Sequence, residues 1–172
     1  MSYWDNVDPI EMGGTDDTTQ EHVDKLLFLA PTGGSVLEIG CGMGRLLSEL
    51  TGFFDNLYGY DPSETLLAKA PKGKIIYTTD LPDRKFDFIY SMLVFQHITD
   101  ESKKEYIEYA SKHLLVDGMF KFQYVTEGER SPQNFPVKDD DINKYCLEAG
   151  FTVNITQDSK YPQWSWATCE LR

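Results

Sequence analysis

Val36 to Arg45 reads VLEIGCGMGR, a short apolar run carrying one carboxylate, Glu38, followed by glycines at 40, 42 and 44. Glycine lets the backbone take left-handed turns and lets a ligand approach the main chain closely. The dinucleotide fingerprint G-x-G-x-x-G needs a glycine where Arg45 stands, and the G-K-[ST] of a phosphate loop is absent. The remaining pattern, acidic-x-G-x-G-x-G, suits a cationic ligand better than a pyrophosphate. A tight turn with no ligand is the plain alternative. Asp61, in YGYDPS, follows a second apolar stretch. An acid there can accept both hydroxyls of a ribose, cap the next helix, or do both. Asp80, in TTDLP, can accept from an exocyclic amine of a base or stand as a solvated loop aspartate. His97, in QHI, has the pKa range of a general base; the alternative is a histidine that packs or orders its loop.

These residues need elements to hold them. Thr18-Thr19-Gln20-Glu21 reads as a capping box for a helix with Val23, Leu26, Leu27 and Ala30 on one face, stopped by Pro31 and Gly33-Gly34. Ser35 to Ile39 reads as a buried strand, and Leu46, Leu47 and Leu50 mark a helix ended by Gly52. Strands follow at 57–60, 75–78 and 86–92, with a helix from Ser63 to Ala70 between the first two. Thr99 caps a helix bearing Tyr106, Ile107, Ala110 and Leu114. Asp117-Gly118 turns the chain into a strand from Met119 to Val125. A helix from Asp140 ends at Gly150, and strands at 151–156 and 164–171 close the chain as a hairpin. Alternating strands and helices predict an α/β fold. The expectation is a Rossmann-like, doubly wound, seven-stranded, mostly parallel sheet with helices on both faces and a C-terminal antiparallel hairpin strand. In such a sheet, ligands sit beyond the carboxyl ends of the strands, where Gly40 to Gly44 lies.

The 172 residues fit one domain, at 18–172, with residues 1–17 as a polar N-terminal cap or lid segment in which Tyr3 and Trp4 either close over a ligand or anchor the terminus. A net charge of −12 repels phosphate backbones and argues against nucleic acid as partner. No apolar run approaches the roughly 18 residues of a membrane span, and the N-terminus lacks a secretory pattern. Cys41, Cys146 and Cys169 form no C-x-x-C pair, so the expected compartment is a reducing cytoplasm with no zinc site. His22 and His113 read as ordinary helix residues. Asp139-Asp140-Asp141 reads as an acidic helix start, and no metal is expected.

The chain resembles the class I S-adenosylmethionine-dependent methyltransferases from about residue 18 to its end. VLEIGCGMGR, YGYDPS, TTDLP, FDFIYSMLVFQHI and LLVDGMFKF stand in the order of that family's motifs, and EAGF sits between the last helix and strand. The resemblance implies S-adenosyl-L-methionine as cofactor and S-adenosyl-L-homocysteine as product. It implies that Gly40, Cys41, Gly42 and Gly44 approach the amino-acid part of the cofactor while Glu38 holds its ammonium. It places Asp61, followed by Pro62, on the ribose, Leu66 against the adenine, Asp80 and Leu81 at the adenine edge, and Ser91 and Met92 near the sulfonium. His97 is the candidate catalytic base. The [DNS]-P-P-[YFW] motif of DNA amino-methyltransferases, a Pro-Cys nucleophile and a paired-glutamate loop are all missing. The expected acceptor is therefore a small molecule, methylated on oxygen or nitrogen by a monomer or homodimer. The alternatives are a peptide or protein acceptor, or a protein that binds the cofactor without turnover.

Overall fold

The computed structural model describes residues 16–172; Tyr3 and Trp4 lie outside the described residues. The chain divides into two compact units, one up to Asp83 and one from Arg84 to Arg172.

The first unit runs α1 (Asp16–Leu27), β1 (Ser35–Ile39), α2 (Arg45–Glu49) with a 3-10 turn at Leu50–Gly52, β2 (Asn56–Tyr60), α3 (Glu64–Leu67) and β3 (Ile75–Thr78). All five residues of β1 are buried, as expected of a parallel strand covered on both faces. β1 pairs with β2 and β2 with β3, both parallel, bringing Glu38 opposite Gly59 and Gly59 opposite Tyr77. Leu46, Leu47 and Leu50 turn into the core as their spacing requires. Thr18 to Glu21 lie inside α1, so they form no capping box at its start. Ser63 caps α3, accepting from Leu66 N at 3.3 Å, but the helix is one turn long and stops short of Ala70. Ahead of Pro71 the chain tightens, with Lys69 N donating to Leu66 O and Ala70 N to Leu67 O in the i to i−3 pattern.

The second unit runs β4 (Phe86–Ser91), a 3-10 turn at Phe95–His97, α4 (Asp100–His113), β5 (Leu114–Val125), α5 (Asp139–Glu148), β6 (Phe151–Gln157) and β7 (Trp164–Leu171). Thr99 Oγ1 caps α4 by accepting from Ser102 N at 3.2 Å. Asp100 and Glu101 at its start and Lys112 and His113 at its end suit the helix dipole. Strand β4 ends at Ser91, so Met92 lies just beyond it. Strand β5 starts earlier than its sequence suggests, because Asp117-Gly118 makes a bulge inside the strand instead of a turn before it. Leu114 faces Phe86 while Met119 faces Phe88, and Asp117 sits at φ 65. A Cβ on Gly118 would come within 2.9 Å of Leu115 O and 3.0 Å of Asp87 O, so a side chain there forces the bulge to move. Helix α5 starts at Asp139, whose carboxylate accepts from the Tyr124 hydroxyl at 2.7 Å.

Strand β7 lies between β5 and β6, antiparallel to both. The whole sheet has the order β3-β2-β1-β4-β5-β7-β6, a seven-stranded mixed sheet flanked by helices. On one face of β5, Phe120, Phe122 and Tyr124 join Phe95 and Phe151 in a continuous aromatic core, with Phe95 stacked on Phe122 at 4.3 Å. Ile142 and Cys146 of α5 are fully buried. Among the described residues no helix is long and apolar enough to cross a membrane.

Candidate active site

In the first unit the three glycines of the loop after β1 all take positive φ: 77° at Gly40, 53° at Gly42 and 74° at Gly44. The N–H groups of Gly40 and Cys41 both donate to Tyr60 O, at 2.7 and 3.0 Å, which ties the loop to the end of β2. Asp61 closes the arrangement. Its Oδ2 accepts from Gly42 N at 2.9 Å, and its Oδ1 accepts from Ser63 N at 2.9 Å. The carboxylate is buried, and a carboxylate offers about four acceptor positions in all. Among the described residues a Cβ on Gly42 would meet nothing within 4 Å, so the main chain there is open to a ligand.

Close packing explains two other glycines. A Cβ on Gly44 would collide with the Tyr77 hydroxyl. One on Gly59 would come within 2.8 Å of Cys41 Sγ and 2.9 Å of the Tyr77 ring. The missing side chain at 59 thus lets Tyr77 reach across β2 to the glycine loop. Burial, with the charges of Glu38 and Asp61, pushes the Cys41 thiol far above its ordinary range. Cys41 is therefore a packed thiol, with its Sγ 3.7 Å from Gly42 O. Glu38 is itself almost fully buried.

Leu66 is buried on α3, while Pro62 is exposed. Asp80 presents its carboxylate to solvent from a turn in which its N–H donates to Thr78 Oγ1 at 3.0 Å; Leu81 is half-buried. Arg45, which breaks the dinucleotide spacing, donates to Thr19 Oγ1 at 2.6 Å and links α2 to α1.

In the second unit Ser91 and Met92 are buried at the end of β4. His97 is half-buried in the 3-10 turn, with Nδ1 2.6 Å from Gln133 O. Burial lowers its pKa below 6.5, outweighing the opposite pull of that hydrogen bond. The same loop is held by Phe135 N donating to Gln96 O at 2.7 Å. Lys103, fully buried on α4, donates to Ile98 O at 3.0 Å, to Phe135 O at 2.9 Å and to Asp100 Oδ1 at 2.9 Å. Arg130 donates to the other oxygen of Asp100.

Sequence reasoning missed Tyr77, Gln96, Lys103, Lys121 and Gln123. The first hid in an apolar strand whose partner, Gly59, was the only signal. Lys121 and Gln123 alternate with Phe120, Phe122 and Tyr124, and polar residues at that period in a buried strand were legible. His22 lies within α1; His113 ends α4 with Nδ1 2.8 Å from Tyr109 O. Trp166 donates to Asp158 Oδ2 at 3.1 Å.

A family described as a methyltransferase domain matches residues 16–167. An uncharacterized methyltransferase of Geobacillus sp. strain WCH70 is 31% identical, over 80% of this chain and 79% of its own length. One of Anoxybacillus flavithermus is 34% identical but is matched over only 47% of its length. The fold is similar to that of DhpI in complex with SAH, with a TM-score of 0.73 at 19% identity, covering 90% of this chain and 85% of that one. It is also similar to the magnesium protoporphyrin IX methyltransferase ChlM of Synechocystis PCC 6803 with bound SAH, with a TM-score of 0.71 at 18% identity, covering 91% and 82%. Matched by that family over most of its length, the chain belongs to the class I S-adenosylmethionine-dependent methyltransferase family.

Proposed function

We propose that this protein transfers a methyl group from S-adenosylmethionine to an oxygen or nitrogen of a small molecule. The observation that carries this reading is the bond from Gly42 N–H to the Asp61 carboxylate, which sets an open glycine turn beside two buried acids. Such a set suits a ligand that combines ribose hydroxyls with a cationic end. When bound, S-adenosylmethionine supplies a methyl group already activated by its sulfonium. Glu38 holds the ammonium, and Asp61 accepts from the ribose hydroxyls while keeping its two backbone donors. Leu66 packs on the adenine, and Asp80 with the Leu81 N–H meets its polar edge. Ser91 and Met92 serve the methyl-bearing end. The chain's remaining work is to align the acceptor in line with the leaving sulfur and to remove its proton. His97, neutral at pH 7, is the group in this reading that receives that proton.

The acidic net charge and the missing nucleic-acid motifs support a small acceptor, and three buried free thiols support a reducing cytoplasm. Calorimetry with S-adenosylmethionine and S-adenosylhomocysteine tests the binding half. Both should bind, and Asp61→Ala should weaken both about tenfold or more, the cost of a lost hydrogen bond to a charged group. Transfer of labelled methyl into a protein-free metabolite extract tests the chemical half. Binding without transfer identifies a cofactor-binding protein; transfer only into added protein or peptide identifies a macromolecular acceptor.

A further inference from the structure

Strand β5 has two faces of opposite character. Phe120, Phe122 and Tyr124 enter the aromatic core, so Lys121 and Gln123 point the other way. Register extends that second face across the sheet. Tyr90 of β4 is opposite Lys121, and Trp166 of β7 is opposite Gln123. Directly opposed residues share a face. The Lys121 ammonium lies 5.7 Å from the centre of the Trp166 ring. Lys121 and Gln123 are 5% and 3% exposed, so this polar face is removed from solvent.

Two glutamine side-chain oxygens of this unit, those of Gln96 and Gln123, are buried without a donor among the described residues, and Gln123 is the one on this face. A buried acceptor left bare is costly, and native proteins rarely keep one without a reason. Its position supplies a reason. Phe122 is opposite Ser91, the last residue of β4, so Gln123 stands one residue further along, level with Met92. That is the carboxyl end of the strand, where ligands of such sheets sit.

We infer that Gln123 is an acceptor-binding residue, its amide oxygen taking a hydrogen bond from an O–H or N–H of the small molecule to be methylated, beside the Trp166 ring. This rests on the methyltransferase reading above. It specifies an acceptor that carries a hydrogen-bond donor and a flat or apolar body suited to an aromatic wall. Lys121 borders the same face. Burial lowers its pKa to about 8, so its charge is held near the limit of what that environment tolerates.

The test compares wild type with Gln123→Met, which keeps length and removes the amide, and Gln123→Asn, which keeps the amide but withdraws it by one methylene. Three readouts are needed: melting temperature without ligand, affinity for S-adenosylhomocysteine, and label transferred from S-adenosylmethionine into a dilute protein-free metabolite extract. Gln123→Met should raise the melting temperature by about 3 °C, because the bare acceptor is gone. Both variants should bind S-adenosylhomocysteine as wild type does. Both should transfer about tenfold less methyl at dilute extract and recover as the extract is concentrated, the mark of a raised KM. A lower melting temperature in Gln123→Met overturns the inference, since the amide would then be satisfied in the free protein. So does weakened S-adenosylhomocysteine binding, or undiminished transfer. If wild type itself transfers nothing, the enzymatic reading fails, and the acceptor role of Gln123 fails with it.

Discussion

His97 Nδ1 lies 2.6 Å from a carbonyl oxygen that can only accept, so in the neutral ring Nδ1 carries the hydrogen and Nε2 keeps its lone pair. Burial holds the ring's pKa below 6.5, so it is unprotonated at neutral pH. A base of this kind loses activity as pH falls through its lowered pKa. The stability linkage has the same direction: below 6.5 the unfolded chain binds the proton more readily, so stability falls as pH drops toward the folded value. His97→Asn tests the role, because its side-chain amide can still donate to Gln133 O but has nothing in place of Nε2. If His97 is the base, this variant loses about 10² to 10⁴-fold in kcat and its rate no longer falls on the acid side. A wild-type acid limb that survives in His97→Asn assigns the residue to loop ordering instead.

At the scale of elements, the loop between β5 and α5 is fixed from the helix beneath it. Lys103 offers its three protons to Ile98 O, Phe135 O and Asp100, and Asp100 is shared with Arg130. Lys103→Met leaves those oxygens without their donor. The expected loss is about 3 kcal/mol in denaturant unfolding, larger than a surface ion pair can explain. Burial raises the Asp100 pKa, but the hydrogen bonds and charges of Arg130 and Lys103 outweigh it and hold the group below 3.8. Its contribution is therefore present above 3.8 and is lost as pH falls through the lower folded value. Denaturation at acid pH should show wild type converging on the variant; a constant gap refutes the carboxylate's part. None of this anchoring was visible in TEGERSPQNFPVK, because backbone oxygens carry no sequence signature. Strands β1, β3 and β7 were legible to the residue, β1 most simply, as a buried apolar run bounded by Gly34 and Gly40. In sequence the bulge at Asp117-Gly118 looks like a turn because a bulge and a turn both admit a positive φ, here at Asp117, and only pairing with β4 tells them apart. The glycine loop was legible because its positive φ angles demand that residue type, and Asp61 because it directly follows β2. The polar alternation of Lys121 and Gln123 along β5 was legible too, but the bare amide oxygen of Gln123 shows itself only once its neighbours are placed.

The whole molecule carries a net charge of −12, and that field acts before any contact forms. S-adenosylmethionine has a sulfonium, an ammonium and a carboxylate, a net charge of about +1, whereas S-adenosylhomocysteine has lost the sulfonium charge and is neutral overall. An acidic protein therefore attracts the substrate form of the cofactor and exerts little long-range pull on the product. Glu38 and Asp61, buried beside the glycine loop, add to that potential at short range, where salt screens it less. The expected outcome is a difference in salt sensitivity. Raising ionic strength from about 0.01 M to about 0.15 M shortens the Debye length from roughly 30 to roughly 8 Å. Over that range the association rate of S-adenosylmethionine should fall a few-fold while that of S-adenosylhomocysteine stays nearly constant. Stopped-flow binding of the two ligands at matched pH reads this directly. Equal salt dependence for both, or faster S-adenosylmethionine binding at high salt, shows that the acidity serves solubility alone and takes no part in capturing the cofactor.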